Sequence, residues 1–294
     1  MSTVDVVTVS YNNAGELRRC VDAVLALQGV TMIVVDNASS DGSLDAIADR
    51  DVVAISLPAN VGFAAGCNVG WRHGRSPYVL FLNPDAVIDG NSINRLVTVL
   101  EEDLHVGAVA PKIRNDDGSL AYSLRRFPRV ISDYAQALFL HRIFPRQPWT
   151  DELIRDPRCY DRRWTPEWVS GACLMVRRNV LEELGGWDER FFLFGEDIDL
   201  CKRISDAGHT VCFEPSAECL HLGGASSEKQ TVLPLLIKGR IRYVEIHHGP
   251  LRATVERFGY GLGALTRVIA GGRAARRGHI RSLLVAMWIL RLDP

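Results

Sequence analysis

The stretch VDVVTVSYNN, residues 4–13, decides the fold, because seven mostly apolar residues lead directly into short polar ones. An apolar run of this length predicts a buried β-strand, and the polar residues predict the loop at its carboxyl end. Apolar residues at positions 17, 20, 21, 24 and 25 then keep helical spacing, and MIVVD at 32–36 is a second apolar run. The chain is therefore expected to open with a strand, a helix and a second strand.

This alternation continues to about residue 111. A short helix is expected from about residue 43, a strand at VVAISL (52–57), a helix over 64–71 and a strand at YVLFL (78–82). Strands separated by helices form parallel sheets with right-handed crossovers. The sequence thus predicts an α/β fold with a mainly parallel sheet flanked by helices. Its ligands should bind in the loops at the carboxyl ends of the strands.

The pattern changes beyond residue 111. NDDGS (115–119) predicts a turn, and residues 125–168 form an irregular stretch rich in Pro, Arg and Trp, with a helix around 132–140. A strand within WVSGACLMVRR (168–178) and a helix over 178–184 follow, and the residues from about 231 are helical in pattern. We therefore predict one domain over 1–230, with halves 1–111 and 112–230, and a helical extension over 231–294.

Composition limits the class of protein. Of the 294 residues, 47% are hydrophobic and 23% are charged, which is typical of a globular chain. Seven cysteines without a CxxC pair exclude a complete disulfide framework and argue against a cysteine zinc site. We find no signal-peptide pattern, and the apolar stretch 283–290 is too short to span a bilayer. A cytoplasmic location is expected.

Charge is distributed unevenly along the chain. The net charge is −1, but the residues from 249 onward contain eight arginines against two carboxylates, a balance of +6, so the preceding residues carry −7. A basic amphipathic tail can lie on an anionic membrane surface. A solvated helical face or an oligomer contact explains the pattern equally well. We expect no nucleic-acid binding, because we find no stacking platform among these arginines: Arg252, Arg257, Arg267, Arg273, Arg276, Arg277 and Arg281.

Two loops at predicted strand ends carry polar residues suited to a nucleoside. SYNN begins with Ser10, where Tyr11 could contact a base, whereas Asn12 or Asn13 could instead cap the next helix. DNASSDGS begins with Asp36, whose carboxylate can accept a hydrogen bond from a base or a ribose hydroxyl. Ser40, Asp41 and Ser43 in this second loop are better explained as helix caps.

The glycine-rich segment NVGFAAGCNVG, residues 60–70, matches neither the dinucleotide fingerprint nor the P-loop. Its glycines permit close backbone approach, and Asn60 and Asn68 offer amide contacts to a ligand. A packed turn and helix is an equally good explanation.

The loop after YVLFL contains Asn83, Pro84 and Asp85. Carboxylate and amide oxygens at a strand end suit a hard cation such as Mg²⁺ or Mn²⁺, which neutralises the charge of a diphosphate. An ordinary Asn-Pro-Asp turn is the alternative. His221 in ECLHLGGAS could be a further metal ligand or a diphosphate contact, although a lone histidine is usually structural.

The segment GGWDERFFLFGEDIDLCKR, residues 185–203, is the most specific. As a helix from Glu196, it places Asp197 on the same face as Leu200, Cys201 and Ile204, so Asp197 should point inward. Glu196 and Asp199 should lie on the other side, where Asp199 can pair with Arg203. An inward carboxylate requires a partner or a chemical role.

Together these segments resemble the inverting family 2 glycosyltransferases of the GT-A fold. The likeness covers roughly residues 4–226 in the family's order: VSYN, DNASSDGS, NVGFAAGCNVG, NPD, WVSGACLMVRR, GGWDERFFLFGEDIDLCKR and His221. Within that family the chain looks most like bacterial rhamnosyltransferases of cell-wall or surface polysaccharide assembly. The resemblance implies a Rossmann-like GT-A domain, with nucleotide-sugar binding in 1–111 and acceptor binding in 112–230.

The resemblance also implies the chemistry. A sugar, with L-rhamnose from dTDP-rhamnose the first expectation and a UDP-linked sugar the alternative, would pass with inversion to a glycan or polyprenyl-diphosphate-linked acceptor at the inner face of the membrane. Asp197 would be the general base, and Asp85 and His221 would hold Mg²⁺ or Mn²⁺, with Asn83 replacing the first carboxylate of a full DxD motif. Donor-binding positions would be Ser10, Tyr11, Asn12, Asp36, Asn37, Asn60, Gly62, Asn68, Asn83 and Asp85. Acceptor-binding positions would be Gly171, Ala172, Trp187, Asp188, Glu189 and Glu196.

Other functions are weighed against this one. Another donor sugar, such as galactofuranose, glucose or GlcNAc, would use the same fold, and a homo-oligomer is compatible with the tail. A non-catalytic nucleotide-sugar or glycan-binding protein is disfavoured, because Asp85 and Asp197 are both present. A nucleotidyltransferase should have a glycine-rich basic loop where this chain has SYNNAGELRR. A processive synthase should have membrane spans.

Overall fold

A computed structural model describes residues 3–222, 229–270 and 273–287, without the side chains of 229–231, 273 and 274. The ten strands are β1 (Val4–Ser10), β2 (Val30–Asp36), β3 (Val53–Ser56), β4 (Tyr78–Leu82), β5 (Ala86–Ile88), β6 (Val106–Arg114), β7 (Leu124–Arg125), β8 (Trp168–Val169), β9 (Cys173–Arg177) and β10 (Thr210–His221). The helices are α1 (Ala14–Leu25), α2 (Phe63–His73), α3 (Gly90–Glu102), α4 (Val130–Ala137), α5 (Leu140–Ile143), α6 (Arg178–Leu184), α7 (Glu196–Asp206), α8 (Lys229–His247), α9 (Pro250–Ala270) and α10 (Arg273–Ala286).

Eight of these strands form one mixed sheet in the order β3-β2-β1-β4-β9-β6-β10-β5. Neighbours run parallel from β3 to β4 and again between β6 and β10, whereas β9 and β5 are antiparallel to their neighbours. β7 and β8 form a separate antiparallel pair. The predicted α/β fold with a mainly parallel sheet is confirmed. The helix expected from residue 43 is only a 3₁₀ turn at Asp45–Ile47.

The core lies on both faces of this sheet. All seven residues of β1 are buried, and its valines alternate between the two faces. Val4 and Val6 pack with Leu17 of α1 in one cluster, whereas Val7 and Val9 pack with Cys67 of α2 in the other. The continuous apolar pattern of the strand is thus explained, because helices cover the sheet on both sides.

The glycines of α2 let this helix lie close to the sheet. A Cβ atom at Gly66 would lie only 2.8 Å from Cγ1 of Val9, and one at Gly70 would overlap Val7. Both glycines belong to the segment whose sequence left ligand contact and packing open. For these two positions the structure shows packing against β1.

Helix α7 differs from its predicted facing. Asp197 is half-buried, whereas Glu196 and Asp199, expected on the outer side, are buried. The cause is α8, which covers that side: Nε2 of His247 donates to Asp199 Oδ1 at 2.7 Å. Arg203 Nε donates to Asp199 Oδ2 at 2.7 Å, so the predicted pair of Asp199 and Arg203 is confirmed.

The last three helices pack together, with α8 also against α7 and α9 against α4. Within the described ranges no helix combines the length and apolarity needed to cross a bilayer. Three arginines of the basic tail make hydrogen bonds within the protein. Arg257 donates to Val285 O and Ala286 O, Arg252 to Glu256 and Pro128 O, and Arg267 to Gly263 O and Gln136 O.

The arginines of α10 are placed differently. Arg276, Arg277 and Arg281 are exposed, as is Ile280 between them. The side chain of Arg273 lies outside the described part of the chain. A basic surface therefore remains on α10, although it is smaller than the sequence indicated.

Candidate active site

A cavity of about 480 Å³ opens at the carboxyl ends of β1, β2 and β4. We call it the strand-end cavity. Its lining includes Glu16, Arg19 and Asp116 as charged residues and the side chains of Phe192 and Phe194 as aromatic walls. Six of the ten residues predicted to bind the donor also line it: Tyr11, Asn37, Asn60, Gly62, Asn83 and Asp85.

Internal hydrogen bonds hold the loops of this cavity in place. Asn37 Nδ2 donates to Gly62 O at 3.0 Å, and Asn37 Oδ1 accepts from Val61 N at 2.9 Å. Asn60 Oδ1 accepts from Gly62 N at 3.0 Å. These amides therefore shape the loop around Gly62, while Tyr11, half exposed, stays available to a ligand.

The other four predicted donor residues lie outside the lining. Ser10 donates to Asn13, and Asn12 accepts from Ser40. Asn68 is buried, donates to Trp187 O and Glu189, and accepts from Trp187 N and Trp71, so it joins α2 to the turn before residue 190. Asp36 accepts from Ser39 N, but its Oδ1 is buried without a hydrogen-bond partner in the described part of the chain.

Asp85, which lines the strand-end cavity, lies beside His221. Nε2 of His221 lies 3.1 Å from Asp85 Oδ1 and 3.5 Å from Asn83 Nδ2. The two residues are 136 positions apart in the chain, and β10 brings them together by pairing with β5: His221 lies opposite Ala86. Among the described residues no group of three His, Cys, Asp or Glu side chains could hold a metal ion. The pair thus offers two ligands of a cation site.

A second cavity, of about 330 Å³, lies beside the first and contains Glu196 and Asp197. We call it the carboxylate cavity. It shares Phe63, Asn83 and Phe194 with the strand-end cavity, so the two are continuous. Of the predicted acceptor residues, Gly171, Ala172 and Glu196 line it.

Asp197 is held against the loop between β8 and β9. Its Oδ2 accepts from Gly171 N at 3.3 Å, and its Oδ1 accepts from Ile198 N at 2.9 Å. A Cβ atom at Gly171 would lie 3.3 Å from the Cβ of Asp197, so a larger residue would press on the carboxylate. The glycine in WVSGAC is thereby explained.

The two carboxyl groups of this cavity have raised pKa values. Burial raises the pKa of Asp197, while the hydrogen bond from Gly171 N and the charge of Arg125 act against that rise. Burial and the neighbouring Asp197 raise the pKa of Glu196 to about 8, and Glu196 Oε2 has no hydrogen-bond partner among the described residues. At neutral pH Glu196 is therefore protonated and able to donate a hydrogen bond.

The remaining predicted acceptor residues lie outside the lining of the carboxylate cavity. Trp187 is buried, with its ring edge-to-face against Phe63 and Phe81 at 5.7 and 5.0 Å. Asp188 accepts from Arg190, and Glu189 accepts from Asn68. These three residues therefore contact other parts of the protein and do not line the cavity.

Two arginines of the carboxylate cavity are not among the site residues predicted from the sequence. Arg125 of β7 and Arg240 of α8 both line it, and both bind the buried Glu152. Two guanidinium groups against one carboxylate leave a net positive charge beside Asp197. No local pattern marks either residue, because they meet only when α8 folds back over the irregular stretch around residue 152.

The residues of the two cavities allow a specific chemistry. The strand-end cavity combines amide groups, an aromatic ring and a carboxylate beside an imidazole, while the adjoining carboxylate cavity holds a carboxylate of raised pKa. Such a carboxylate is suited to accept a proton from a hydroxyl group. The site can thus hold an anionic ligand next to a base.

The sequence profile of Glycosyl transferase family 2 matches residues 5–185. An N-acetylglucosaminyl-diphospho-decaprenol L-rhamnosyltransferase of Mycobacterium tuberculosis is 32% identical over 273 residues, covering 85% of this chain and 88% of that protein. The rhamnosyltransferase WbbL of Escherichia coli is 27% identical over 156 residues, covering 51% of this chain and 54% of that protein.

Two solved structures share the fold. The mannosyltransferase PcManGT from Pyrobaculum calidifontis, in complex with GDP-Man and Mn²⁺, has a TM-score of 0.61 at 16% identity and covers 97% of this chain and 87% of that one. GalNAc-T7 with UDP, GalNAc and Mn²⁺ has a TM-score of 0.63 at 15% identity, covering 98% and 56%. The sheet has the GT-A architecture predicted from the sequence. With the profile match over most of its α/β domain, this chain belongs to glycosyl transferase family 2 and is a glycosyltransferase.

Proposed function

We propose that the chain transfers L-rhamnose from dTDP-rhamnose, with inversion, to a sugar carried on a polyprenyl diphosphate. The observation that carries the transfer is Asp197, a carboxylate of raised pKa in a cavity continuous with the strand-end cavity. The rhamnosyl donor and the lipid-linked acceptor are supported by the similarity of most of this chain to the L-rhamnosyltransferase of Mycobacterium tuberculosis.

The donor would occupy the strand-end cavity. Tyr11 would face the base, and the loop that Asn37 and Asn60 shape around Gly62 would border the nucleotide. Asp36, whose buried Oδ1 has no hydrogen-bond partner among the described residues, would accept a hydrogen bond from the nucleoside. We do not assign donor contacts to Asn68, because its amide is already used on both sides.

In the reaction, an acceptor hydroxyl oxygen attacks the anomeric carbon on the face opposite the diphosphate. The new oxygen–carbon bond forms as the bond from carbon to the diphosphate oxygen breaks. Asp197 takes the proton of the hydroxyl, and the leaving diphosphate keeps the electron pair. Glu196, protonated at neutral pH, would donate a hydrogen bond from Oε2 to another acceptor oxygen.

Asp85 and His221 would hold a divalent cation, Mg²⁺ or Mn²⁺. One carboxylate oxygen and one imidazole nitrogen 3.1 Å apart are a suitable pair of ligands, with the diphosphate supplying others. A bound cation would stabilise the charge of the leaving diphosphate.

We further infer that the protein contacts the membrane surface through α10. The exposed Arg276, Arg277 and Arg281 surround the exposed Ile280. Basic side chains beside an apolar one are attracted to anionic lipids. This surface would keep the enzyme at the inner face of the membrane, where a lipid-linked acceptor resides.

Replacing the base should stop transfer without preventing donor binding. For Asp197→Asn we expect kcat to fall by about 10²–10⁴, because the proton of the hydroxyl loses its acceptor. The dissociation constant of dTDP-rhamnose, measured by calorimetry, should stay within about threefold. Asp188→Asn, a similar change outside the cavity, should keep wild-type kcat. A fall of less than tenfold for Asp197→Asn would refute the assignment.

Glu196 should make stability depend on pH. With an ordinary pKa of 4.5 when unfolded and about 8 when folded, the carboxyl holds a proton in the folded protein that the unfolded chain has released between these values. Its contribution to stability therefore falls as pH rises through this window. The difference in Tm between Glu196→Gln and wild type should therefore shift in favour of the variant by at least about 3 °C from pH 5 to pH 8. Parallel Tm curves of wild type and Glu196→Gln over this pH range would contradict the prediction. Glu182→Gln, a change at an exposed residue, should give a curve parallel to that of the wild type.

Metal-linked donor binding should depend on Asp85. Calorimetric titration of dTDP-rhamnose should show at least tenfold tighter binding with Mn²⁺ for the wild-type protein. Asp85→Asn should remove most of that gain, because the cation loses the negative charge of this carboxylate ligand. Asp116→Asn changes another carboxylate of the same cavity and should retain the gain. If Asp85→Asn retained it too, the metal assignment would be wrong.

Membrane contact should depend on the exposed arginines of α10. A variant with Arg276, Arg277 and Arg281 changed to Gln should bind anionic liposomes about tenfold or more weakly in sedimentation. Wild-type binding should also weaken with added salt. The matched control changes three exposed arginines of the α/β domain: Arg75, Arg158 and Arg162. Equal loss in both triple variants would remove α10 as the contact surface.

A further inference from the structure

A third cavity, of about 270 Å³, lies between α4, α8, α9 and α10. We call it the helical cavity. Gly259 and Gly263 of α9 also line it, and a Cβ atom at Gly259 would lie 2.9 Å from Cε2 of Tyr134 in α4. Its walls are mostly apolar: Ala137, Leu233, Leu236, Ile237, Tyr260 and Ala264.

The helical cavity adjoins the carboxylate cavity. Arg125, Leu236 and Arg240 line both. These shared residues separate the two spaces, so a ligand that reached from one to the other would pass between two guanidinium groups. The apolar space therefore has a positively charged entrance on the side of Asp197.

The charge at this entrance is only partly compensated. Glu152, buried, accepts from both arginines, with Arg240 bidentate and Arg125 Nη1 at 3.4 Å. Arg125 Nε is buried without a hydrogen-bond partner among the described residues. The other ionisable groups of the cavity are Asp133, whose pKa burial raises to about 7, Arg267, and His279, whose pKa burial lowers. An anion could thus bind at the entrance.

Exposed apolar side chains follow two of the cavity's lining residues in the chain. Ala137 and His279 line the cavity, and the residue after each of them, Leu138 and Ile280, is an exposed apolar side chain. Ile280 lies among the arginines of α10 that we assign to the membrane surface. A long apolar ligand could therefore leave the cavity towards lipid.

We propose that the helical cavity holds the first isoprene units of the acceptor, with its diphosphate between Arg125 and Arg240 and its terminal sugar beside Asp197. This assignment rests on the proposed function, because it places the lipid part of that same acceptor. A guanidinium pair matches the oxygens of a diphosphate, and apolar walls match a prenyl chain. The acceptor is thereby recognised by its linker as well as by its sugar.

Binding of prenyl diphosphates tests the assignment directly. In calorimetry without donor, farnesyl diphosphate should bind the full chain at least tenfold more tightly than inorganic pyrophosphate, because only farnesyl diphosphate fills the apolar space. Farnesol should bind more weakly than farnesyl diphosphate, since it lacks the anion. Equal affinities for farnesyl diphosphate and pyrophosphate would overturn the proposal.

Variants distinguish the cavity from other surfaces. Ala264→Phe fills the cavity and should weaken the binding of farnesyl diphosphate at least tenfold, while the affinity for pyrophosphate should not change. Ala270→Phe makes the same change on the exposed side of α9 and should have no effect. Leu233→Trp narrows the cavity from a half-exposed position, in case Ala264→Phe does not fold. Arg125→Gln should weaken farnesyl diphosphate and pyrophosphate alike. Unchanged affinity in both filling variants would refute the site.

The outcome is separable from that of the proposed transfer. dTDP-rhamnose binding and transfer to a soluble alkyl glycoside acceptor report on the strand-end and carboxylate cavities alone. If transfer occurs but farnesyl diphosphate binds no better than pyrophosphate, the helical cavity is wrongly assigned. If farnesyl diphosphate binds as expected but no sugar is transferred to any acceptor, the proposed transfer fails.

Discussion

The structure depends on how the segment 192–195 is held between two glycines. Phe63 N donates to Phe192 O at 2.8 Å, and a Cβ atom at the adjacent Gly62 would overlap that carbonyl group. On the other side, a Cβ atom at Gly239 of α8 would overlap Phe194 O. Phe194 and Gly195 both have positive φ, at 68° and 93°, which turns the chain into α7. The left-handed conformation costs a non-glycine residue about 1–2 kcal/mol, which the contacts on both sides must offset.

This arrangement fixes the C-terminal helices to the α/β part of the chain. Because α8 packs on the turn before α7, it sets the position of Asp197 relative to the strand-end cavity. The same helix brings Arg240 to Glu152 and His247 to Asp199, so its inner face carries these two polar contacts. Leu236 and Arg240 of α8 line the carboxylate cavity together with Glu196 and Asp197, whose pKa values are raised by burial. The extension therefore contributes to the electrostatics of the site as well as to its shape.

Local patterns predicted the parts of the site that lie on single loops. The apolar strands located the loops around Tyr11, Asn37 and Asp85, because parallel strands of a sheet end at one edge. Asn68 and Trp187 were assigned to ligands, but they bond to each other across 119 residues, a pairing that no local pattern reveals. Polar residues next to glycines have this ambiguity, since close packing and ligand approach both require small neighbours.

The orientation of α7 shows why the remaining features of the site could not be predicted from the sequence. Helical periodicity distinguishes one apolar face, and it placed Asp197 on that face and Asp199 opposite. It assumes that the other face meets water, whereas here α8 covers that face. His247 of α8 donates one hydrogen bond to Asp199, and Arg203 donates the second. A carboxylate on a polar face can thus be fully buried when a distant segment brings its partners. The same reasoning applies to Arg125 and Arg240, whose charge is placed beside Asp197 by tertiary packing alone.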